Sequence, residues 1–548
     1  MKKPKSKPMF DNSDFPVSVV RKQLFSGTGV DIEEADQKPI IGIVNSYTEI
    51  NAGHAHLNII AQRVKEGVHA AGGLPYEFNV PAPCDGMTEG HEGMRFVLAQ
   101  RDLIADITET HARSMLYDGL VFVASCDKII PGMLMAAARL DLPSIFITGG
   151  PNAMNIRFNA NMKDSIDHKD YNTIPERLGC ATCGTFGSCE VMGTANTFQC
   201  LTEAMGISLP GSATVPAFHA DKLRFARKAG KRIVAMVEEG LTARKILNSK
   251  ALENAIIIDL AIGGSTNSTL HLPAIAHELG VDLPLDIFNE FNTKIPTLCG
   301  IAPSGPHGVI DLHVAGGVPA VMKVLADDIR RDAMVVTGNT LGEVLDFVNV
   351  KDPKVIPPRD KPFHLQGGTV VLKGNLAPDG SVVKQSAVKD DMKQFRGPAR
   401  VFDSEAACLK ALREKTLKEG EVVVIRYEGP KGGPGMPETL AVTMGLEQAG
   451  LHKIALITDG RFSGASAGPC IGHVSPEAAA GGPIAAVRDG DEITIDIPGR
   501  KLEVALSDEE IKKRLSQAKA PVREIPAGFM RRYVKLVGSA ARGAILES

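Results

Sequence analysis

Three times early in the chain, a run of apolar positions empties into a polar, glycine-rich corner and then into a segment of helical period. The runs cover residues 38–46, 75–80 and 120–124, and a fourth follows over 144–148. The runs at 120–124 and 144–148 read as buried strands, and the repeated order of strand, polar corner and helix predicts a parallel α/β sheet. Helices are predicted over 57–71, stopped by Gly72-Gly73, and over 101–118. A further helix follows the corner Ser125-Cys126-Asp127-Lys128, with Pro131 near its start, where a missing N–H costs nothing. In an open α/β sheet, the corners at the carboxyl ends of strands are where ligands bind.

Past this unit the pattern loosens. Residues 152–178 are polar and irregular, and 179–200 hold four of the nine cysteines before a helix through Met205. A helix is predicted over 222–246, while 254–259 reads equally as a strand or a helical turn. Gly263-Gly264-Ser265-Thr266-Asn267 predicts a helix start capped by Ser or Thr, with helices continuing to about residue 348. Residues 351–362 hold four prolines and no period, which fits a linker. Beyond it, β-rich runs at 369–373, 422–427, 454–458 and 492–497 are separated by Gly and Pro turns. The expected architecture is α/β: a parallel-sheet N-terminal domain over 1–355, then a β-rich, barrel-like C-terminal domain over 362–548.

Composition narrows the function classes. A net charge of −3 gives no electrostatic case for nucleic acid or an anionic membrane. No apolar stretch approaches the roughly 20 residues of a membrane span. The basic start MKKPKSKP has no apolar run behind it and reads as a solvated tail. Nine cysteines, an odd number spread thinly, favour a reducing compartment, and the chain reads as a cytoplasmic enzyme.

The chemistry concentrates in the corners. Cys84, Cys126 and Cys189 sit in polar or Gly-rich loops, and three thiolates from separate loops suit an iron–sulfur cluster better than a zinc knuckle. Cys180-x-x-Cys183 alone also suits a zinc half-site or a redox pair, as in a non-catalytic metal-binding protein. Cys200, Cys299, Cys408 and Cys470 read as core residues. Asp85, Asp127 and Glu438 are hard carboxylates on corners, suited to Mg²⁺ or equally to caps and turns. Lys128 reads as a salt-bridge partner or a reactive amine. His54, His56, His91 and His473 lie in polar loops, where structural hydrogen bonding is the commoner role and an anionic substrate the other. Ser463 lacks the GxSxG elbow, Gly432-Gly433-Pro434-Gly435 lacks the Lys-Ser/Thr of a phosphate loop, and no GxGxxG follows an early strand.

Taken together, the segments CDGMTEGHEGM, SCDKIIPGMLMAAARL, GSCEVMGTAN, IGGSTN, GNLAPDG, YEGPKGGPGMPE and TDGRFSGASAGPCIGHVSPEAAAGGP resemble the dihydroxy-acid and sugar-acid dehydratase superfamily, in family order. The resemblance implies an Fe–S-dependent, Mg²⁺-assisted hydro-lyase that turns a 2,3-dihydroxy acid into a 2-oxo acid. It implies cluster binding by Cys126 and Cys189, Mg²⁺ binding by Asp85, Asp127 and Glu438, a carboxylated Lys128 as a further ligand, and Ser463 as base. It further implies a homodimer or dimer of dimers, with the site between the domains. Members with a two-iron cluster carry a cysteine where this chain has Gly53, so Cys84 is the candidate third thiolate, of a [4Fe-4S] or an incompletely ligated [2Fe-2S] cluster. The implied substrates are the 2,3-dihydroxy-3-methyl acids of valine and isoleucine biosynthesis. The long segment before Cys189 and its MGTA wording lean towards the alternative, an aldonate giving a 2-keto-3-deoxy acid.

Overall fold

A computed structural model describes residues 5–153, 184–464, 466 and 468–547. The four early runs form one parallel sheet: β1 (Ile40–Asn45), β2 (Leu74–Asn79), β3 (Gly119–Ala124) and β4 (Ser144–Thr148), in the order β2-β1-β3-β4. β1, β3 and β4 are buried at every position, and β2, at the edge, only in part. Because all four run the same way, the corners after β1, β2 and β3 open on a single edge. That edge carries the candidate chemistry.

The helix Ile129–Leu140 is buried at every residue except Arg139. It packs between the helices Ala99–Met115 and Ser268–Leu279, so its apolar circumference is consumed by neighbours. Helices Leu57–Ala70 and Ala220–Glu239 cross where two glycines face each other. A Cβ at Gly67 would stand 2.1 Å from Arg227 O, and one at Gly230 would stand 2.1 Å from Val64 O. Residues 254–259 belong to the helix Ser249–Ala261, whose all-round burial removed the periodicity that would have identified it. The next helix, Ser268–Leu279, has Asn267 at its N-cap without a side-chain cap bond; Ser265 Oγ instead accepts the Asn267 N–H at 3.2 Å. The expected solvated tail is also corrected from residue 5 onward. Ser6 donates its N–H and Oγ–H to the Asp118 carboxylate at 2.8 and 2.7 Å, and Phe10 is buried.

The C-terminal strands close into a barrel: β5 (Val370–Gly374), β6 (Ala377–Val383), β7 (Gln394–Phe402), β8 (Val422–Ile425), β9 (Ala455–Thr458), β10 (Cys470–Ser475), β11 (Glu492–Asp496) and β12 (Lys501–Val504). Their order is β10-β6-β5-β12-β11-β7-β8-β9. The sequence pattern anticipated β5, β8, β9 and β11. It passed over β6 and β7 because Pro378, Gly380, Gly397 and Pro398 read as turns, whereas closure puts glycine where strands come close. A Cβ at Gly397 would meet Gly420 O at 2.1 Å. Two contacts lock barrel to sheet. The C-terminal helix Phe529–Leu536 seats Met530 and Tyr533 against Leu98, Leu270 and Met436. Arg101, fully buried, donates to Gly543 O and Ala544 O at 2.8 and 2.9 Å.

Candidate functional site

Two corners of the sheet face two loops of the barrel. After β2, Cys84 precedes the short helical turn Asp85–Thr88, and after β3, Cys126, Asp127 and Lys128 lead into the long buried helix. From the barrel come the loop after β8, carrying Glu438, and the loop after β9, carrying Arg461 and Ser463. Glu438 and Arg461 are held as partners by a backbone bridge, with Arg461 N–H donating to Pro437 O and Thr439 N–H to Arg461 O.

One carboxylate oxygen from each of Asp85, Asp127 and Glu438 lies within 4.8 Å of the others. Lys128 Nζ stands among them, 2.7 Å from Asp85, 3.0 Å from Asp127 and 3.6 Å from Glu438. Arg461 Nη1 lies 2.5 Å from Glu438 Oε1 and 3.8 Å from Asp85 Oδ2, while its Nε donates to Met436 O at 2.7 Å. Asn267 Nδ2 adds a bond to Glu438 Oε1 at 2.9 Å and one to Thr194 Oγ1 at 2.8 Å. Burial, then the Asp85 charge, push the Asp127 carboxyl well above the usual carboxylate range. Burial and Arg461 push the Lys128 amine down, but Asp127, Asp85 and Glu438 outweigh them and keep it an ammonium. Burial likewise opposes the Arg461 charge, and Glu438 and Asp85 more than restore it.

This cage fits a hard divalent cation. Asp85 Oδ1 and Asp127 Oδ1 are buried without a hydrogen-bond partner, which is costly for a carboxylate and is what an ion would relieve. All donors are oxygens on fixed corners, the set that Mg²⁺ takes. Glu89, four residues after Asp85, also carries a buried unpartnered Oε2; burial, then Glu438 and Asp85, push its carboxyl up.

The thiols gather beside the cage. Cys126 donates its N–H to His54 Nε2 at 3.0 Å, so His54 Nδ1 is the donor to Ser46 O at 2.8 Å. Burial lowers the His54 pKa to about 3 and keeps the ring neutral for both bonds. Asn51 laces the loops together. Its Oδ1 accepts the Gly53 N–H at 2.9 Å and lies 3.8 Å from Cys126 Sγ, while Nδ2 donates to Ala82 O and Pro83 O at 3.3 and 3.2 Å, just before Cys84. Burial pushes the Cys126 thiol well up, and the charges of Cys84 and Cys189 add to it, so the three sulfurs share one region. Thiols from three loops, with no second pair at zinc spacing, suit an iron–sulfur cluster. At Gly53, a Cβ would stand 2.5 Å from Cys126 Sγ, so this position faces the thiol. Cys180 and Cys183 lie outside the described residues.

Ser463 lies in the seam between barrel and sheet. A Cβ on the next residue, Gly464, would meet Gly193 Cα at 2.8 Å, Ser265 Oγ at 3.2 Å and Thr194 N at 3.3 Å. The serine loop is therefore pressed onto the segments GSCEVMGTAN and IGGSTN. Sequence reasoning missed Arg461, Asn267 and Thr194. Each stood inside a quoted motif, but their value is in pairing across the seam, which no local pattern encodes. The histidines divide differently from the open reading: His54 and His56 are buried on backbone carbonyls, and His91 is exposed and accepts the Gly93 N–H. His473 is buried beside Thr269. Cys200, Cys299, Cys408 and Cys470 are core residues as expected.

The profile described as dihydroxy-acid/6-phosphogluconate dehydratase N-terminal matches residues 38–344, and its C-terminal counterpart matches residues 354–544. The chain is 50% identical over 546 residues to the dihydroxy-acid dehydratase of Acetivibrio thermocellus, covering 96% of this chain and 97% of the relative. It is 51% identical over 522 residues to that of Methanothermobacter thermautotrophicus, covering 93% and 95%. It is 49% identical over 551 residues to that of Ignicoccus hospitalis, covering 97% and 98%. With both profiles matched and half of all residues shared along nearly the whole length, the chain belongs to the dihydroxy-acid/6-phosphogluconate dehydratase family.

Proposed function

We propose that the protein dehydrates 2,3-dihydroxy-3-methyl acids to 2-oxo acids in valine and isoleucine biosynthesis. One observation carries the reading: a carboxylate cage, three thiols and the Ser463 loop meet in a single seam of a chain whose relatives are named dihydroxy-acid dehydratase. Those names favour this substrate over the aldonate alternative.

Asp85, Asp127, Glu438 and Lys128, the last as its carbamate, would hold Mg²⁺, and Cys126, Cys189 and Cys84 an [4Fe-4S] or [2Fe-2S] cluster. When bound, the ion supplies Lewis-acid stabilisation at the substrate carboxylate and 2-hydroxyl, and the cluster an acceptor for the 3-hydroxyl. The protein's own groups do the rest. Ser463 Oγ, as the alkoxide, takes the proton from C2 and passes it to the leaving 3-hydroxyl, which departs as water, and the enol becomes the 2-oxo acid. A serine is a weak base at its free pKa and needs a neighbouring cation and exclusion of water. Arg461 and Asn267 fix Glu438, His54 fixes the Cys126 backbone, and Asn51 ties the loops of Cys84 and Cys126.

We assign the division between domains 1–355 and 362–548 to the proline-rich stretch at 351–362. We place the enzyme in the cytoplasm, as a homodimer or a dimer of dimers. The exposed Val17, Val20 and Leu24 on the helix Val17–Ser26 support self-association, and among the described residues no helix is long and apolar enough to cross a membrane. The test is anaerobic reconstitution, an iron and sulfide count, then turnover of 2,3-dihydroxy-3-methylbutanoate against a panel of aldonic acids. Faster turnover of an aldonate would sink the substrate assignment, and an iron-free active enzyme the cluster.

A further inference from the structure

We propose that Lys384 is a positioning residue that pins the loop of Ser463 to the loop of Cys189, and that turnover depends on this pin. The inference rests on the dehydratase reading, in which Ser463 is the base.

Lys384 directly follows β6 and its side chain is buried. From this barrel position Nζ donates to Met192 O at 3.1 Å and to Gly464 O at 3.4 Å. The first carbonyl lies three residues after Cys189, the second one residue after Ser463. Met192 is itself anchored, fully buried with its N–H on Ala302 O at 2.7 Å. The Gly464 backbone has no room for a side chain against Gly193 and Thr194. One ammonium therefore closes a joint between two loops already in van der Waals contact. A lysine suits the task, with three donors at the end of a flexible stem that can serve two carbonyls at once.

The charge has a counterpart further in. Asp259, fully buried in the helix Ser249–Ala261, accepts from Ser268 Oγ at 2.8 Å, and its Oδ1 has no hydrogen-bond partner. Burial lowers the Lys384 pKa to about 8 and raises that of Asp259 to about 7, each opposed by the charge of the other. The same helix leads into the Gly263–Asn267 turn, whose Asn267 holds Glu438. Lys384 thus meets both the serine loop and the cysteine loop. Its desolvation makes it a poor choice for stability alone.

Lys384→Met keeps the length of the stem, removes a buried charge and is expected to fold. The proposal predicts a kcat reduced by at least about fiftyfold with KM within about threefold, the split expected when a reacting group is misplaced and binding is not. It also predicts amide hydrogen exchange accelerated at least about tenfold in peptides spanning both 189–194 and 460–466, with β11 unchanged. Faster exchange in both loops, with kcat lost and iron content retained, supports the pin. Equal exchange in variant and wild type, acceleration in one loop alone, or a kcat within about threefold of wild type overturns it. If the wild-type enzyme turns over no dihydroxy acid, the dehydratase reading fails, and the exchange experiment still judges the joint.

Discussion

Gly53→Ala isolates the geometry of the Cys126 thiol. The added Cβ would stand 2.5 Å from Cys126 Sγ and 3.2 Å from Asn51 Oδ1, against the roughly 3.5–4.0 Å of an ordinary heavy-atom contact. The sulfur must therefore retreat by about 1 Å or more, because Asn51 is tied to Ala82 and Pro83 and cannot yield. The cheapest retreat is a rotation of Cys126 off its present position, at about 0.5–1.5 kcal/mol. Fold stability consequently falls little, by a few degrees at most in a chain of this size. The effect on the site is much larger, since the thiol leaves the region it shares with Cys84 and Cys189. Iron per chain after anaerobic reconstitution is expected to drop by more than about half, with activity falling in proportion. Gly86→Ala is the matched control, because a Cβ there meets nothing within 4 Å. A Gly53→Ala enzyme with wild-type iron content would refute the placement of Cys126 as a cluster thiol.

Ser463→Ala is expected to keep iron content and melting temperature while losing at least about 100-fold in kcat; activity within a few-fold of wild type assigns the proton transfer to another group. Cys84→Ser should lower iron and sulfide per chain, and an unchanged count would remove Cys84 from the ligand set. Glu203→Gln tests a buried carboxyl outside the cage. Glu203 accepts from Gly211 and Ala213 N–H, and burial raises its pKa from 4.5 to about 7. The folded state then holds this proton where the unfolded chain has released it, so the contribution to stability is full below pH 4.5 and fades as pH rises to about 7. The unfolding free energy measured across that window should fall more steeply with pH in wild type than in the variant; parallel slopes would place the titration elsewhere.

The fold was legible wherever burial was uniform or period was clean. The fully apolar runs of β1, β3 and β4 could hardly be anything but covered strands, and they fix the edge on which the chemistry collects. β6 and β7 were hidden because a closing barrel uses proline and glycine inside strands, and residues 254–259 because a helix buried all round loses its amphipathic period. Residue types alone marked Asp85, Asp127 and Glu438, since carboxylates in Gly-rich corners are chemically conspicuous. Arg461 and Lys384 were invisible for the opposite reason. A cation in a loop signifies nothing until its partners are known, and some of theirs come from segments far away in sequence, such as Asp85 for Arg461 and Met192 for Lys384.

The division of donors between two halves has an energetic consequence. Asp85 and Asp127 come from the sheet and Glu438 from the barrel, so bringing the halves together forces three carboxylates within 4.8 Å. At such separations two ionised carboxylates would repel by about 4 kcal/mol in a partly buried setting, which adds to burial in pushing the Asp127 carboxyl up. Two cations offset this in the protein itself, and each joins the halves: Lys128 reaches from the sheet to Glu438, and Arg461 from the barrel to Asp85. If Lys128 becomes a carbamate, it ceases to be one of those cations and adds a negative charge. A divalent ion would then take over part of the offset. An ion that binds the cage better with the halves in contact than apart would stabilise that contact by mass action, adding to the packing of Met530 and Tyr533 and the Arg101 bonds that already join them.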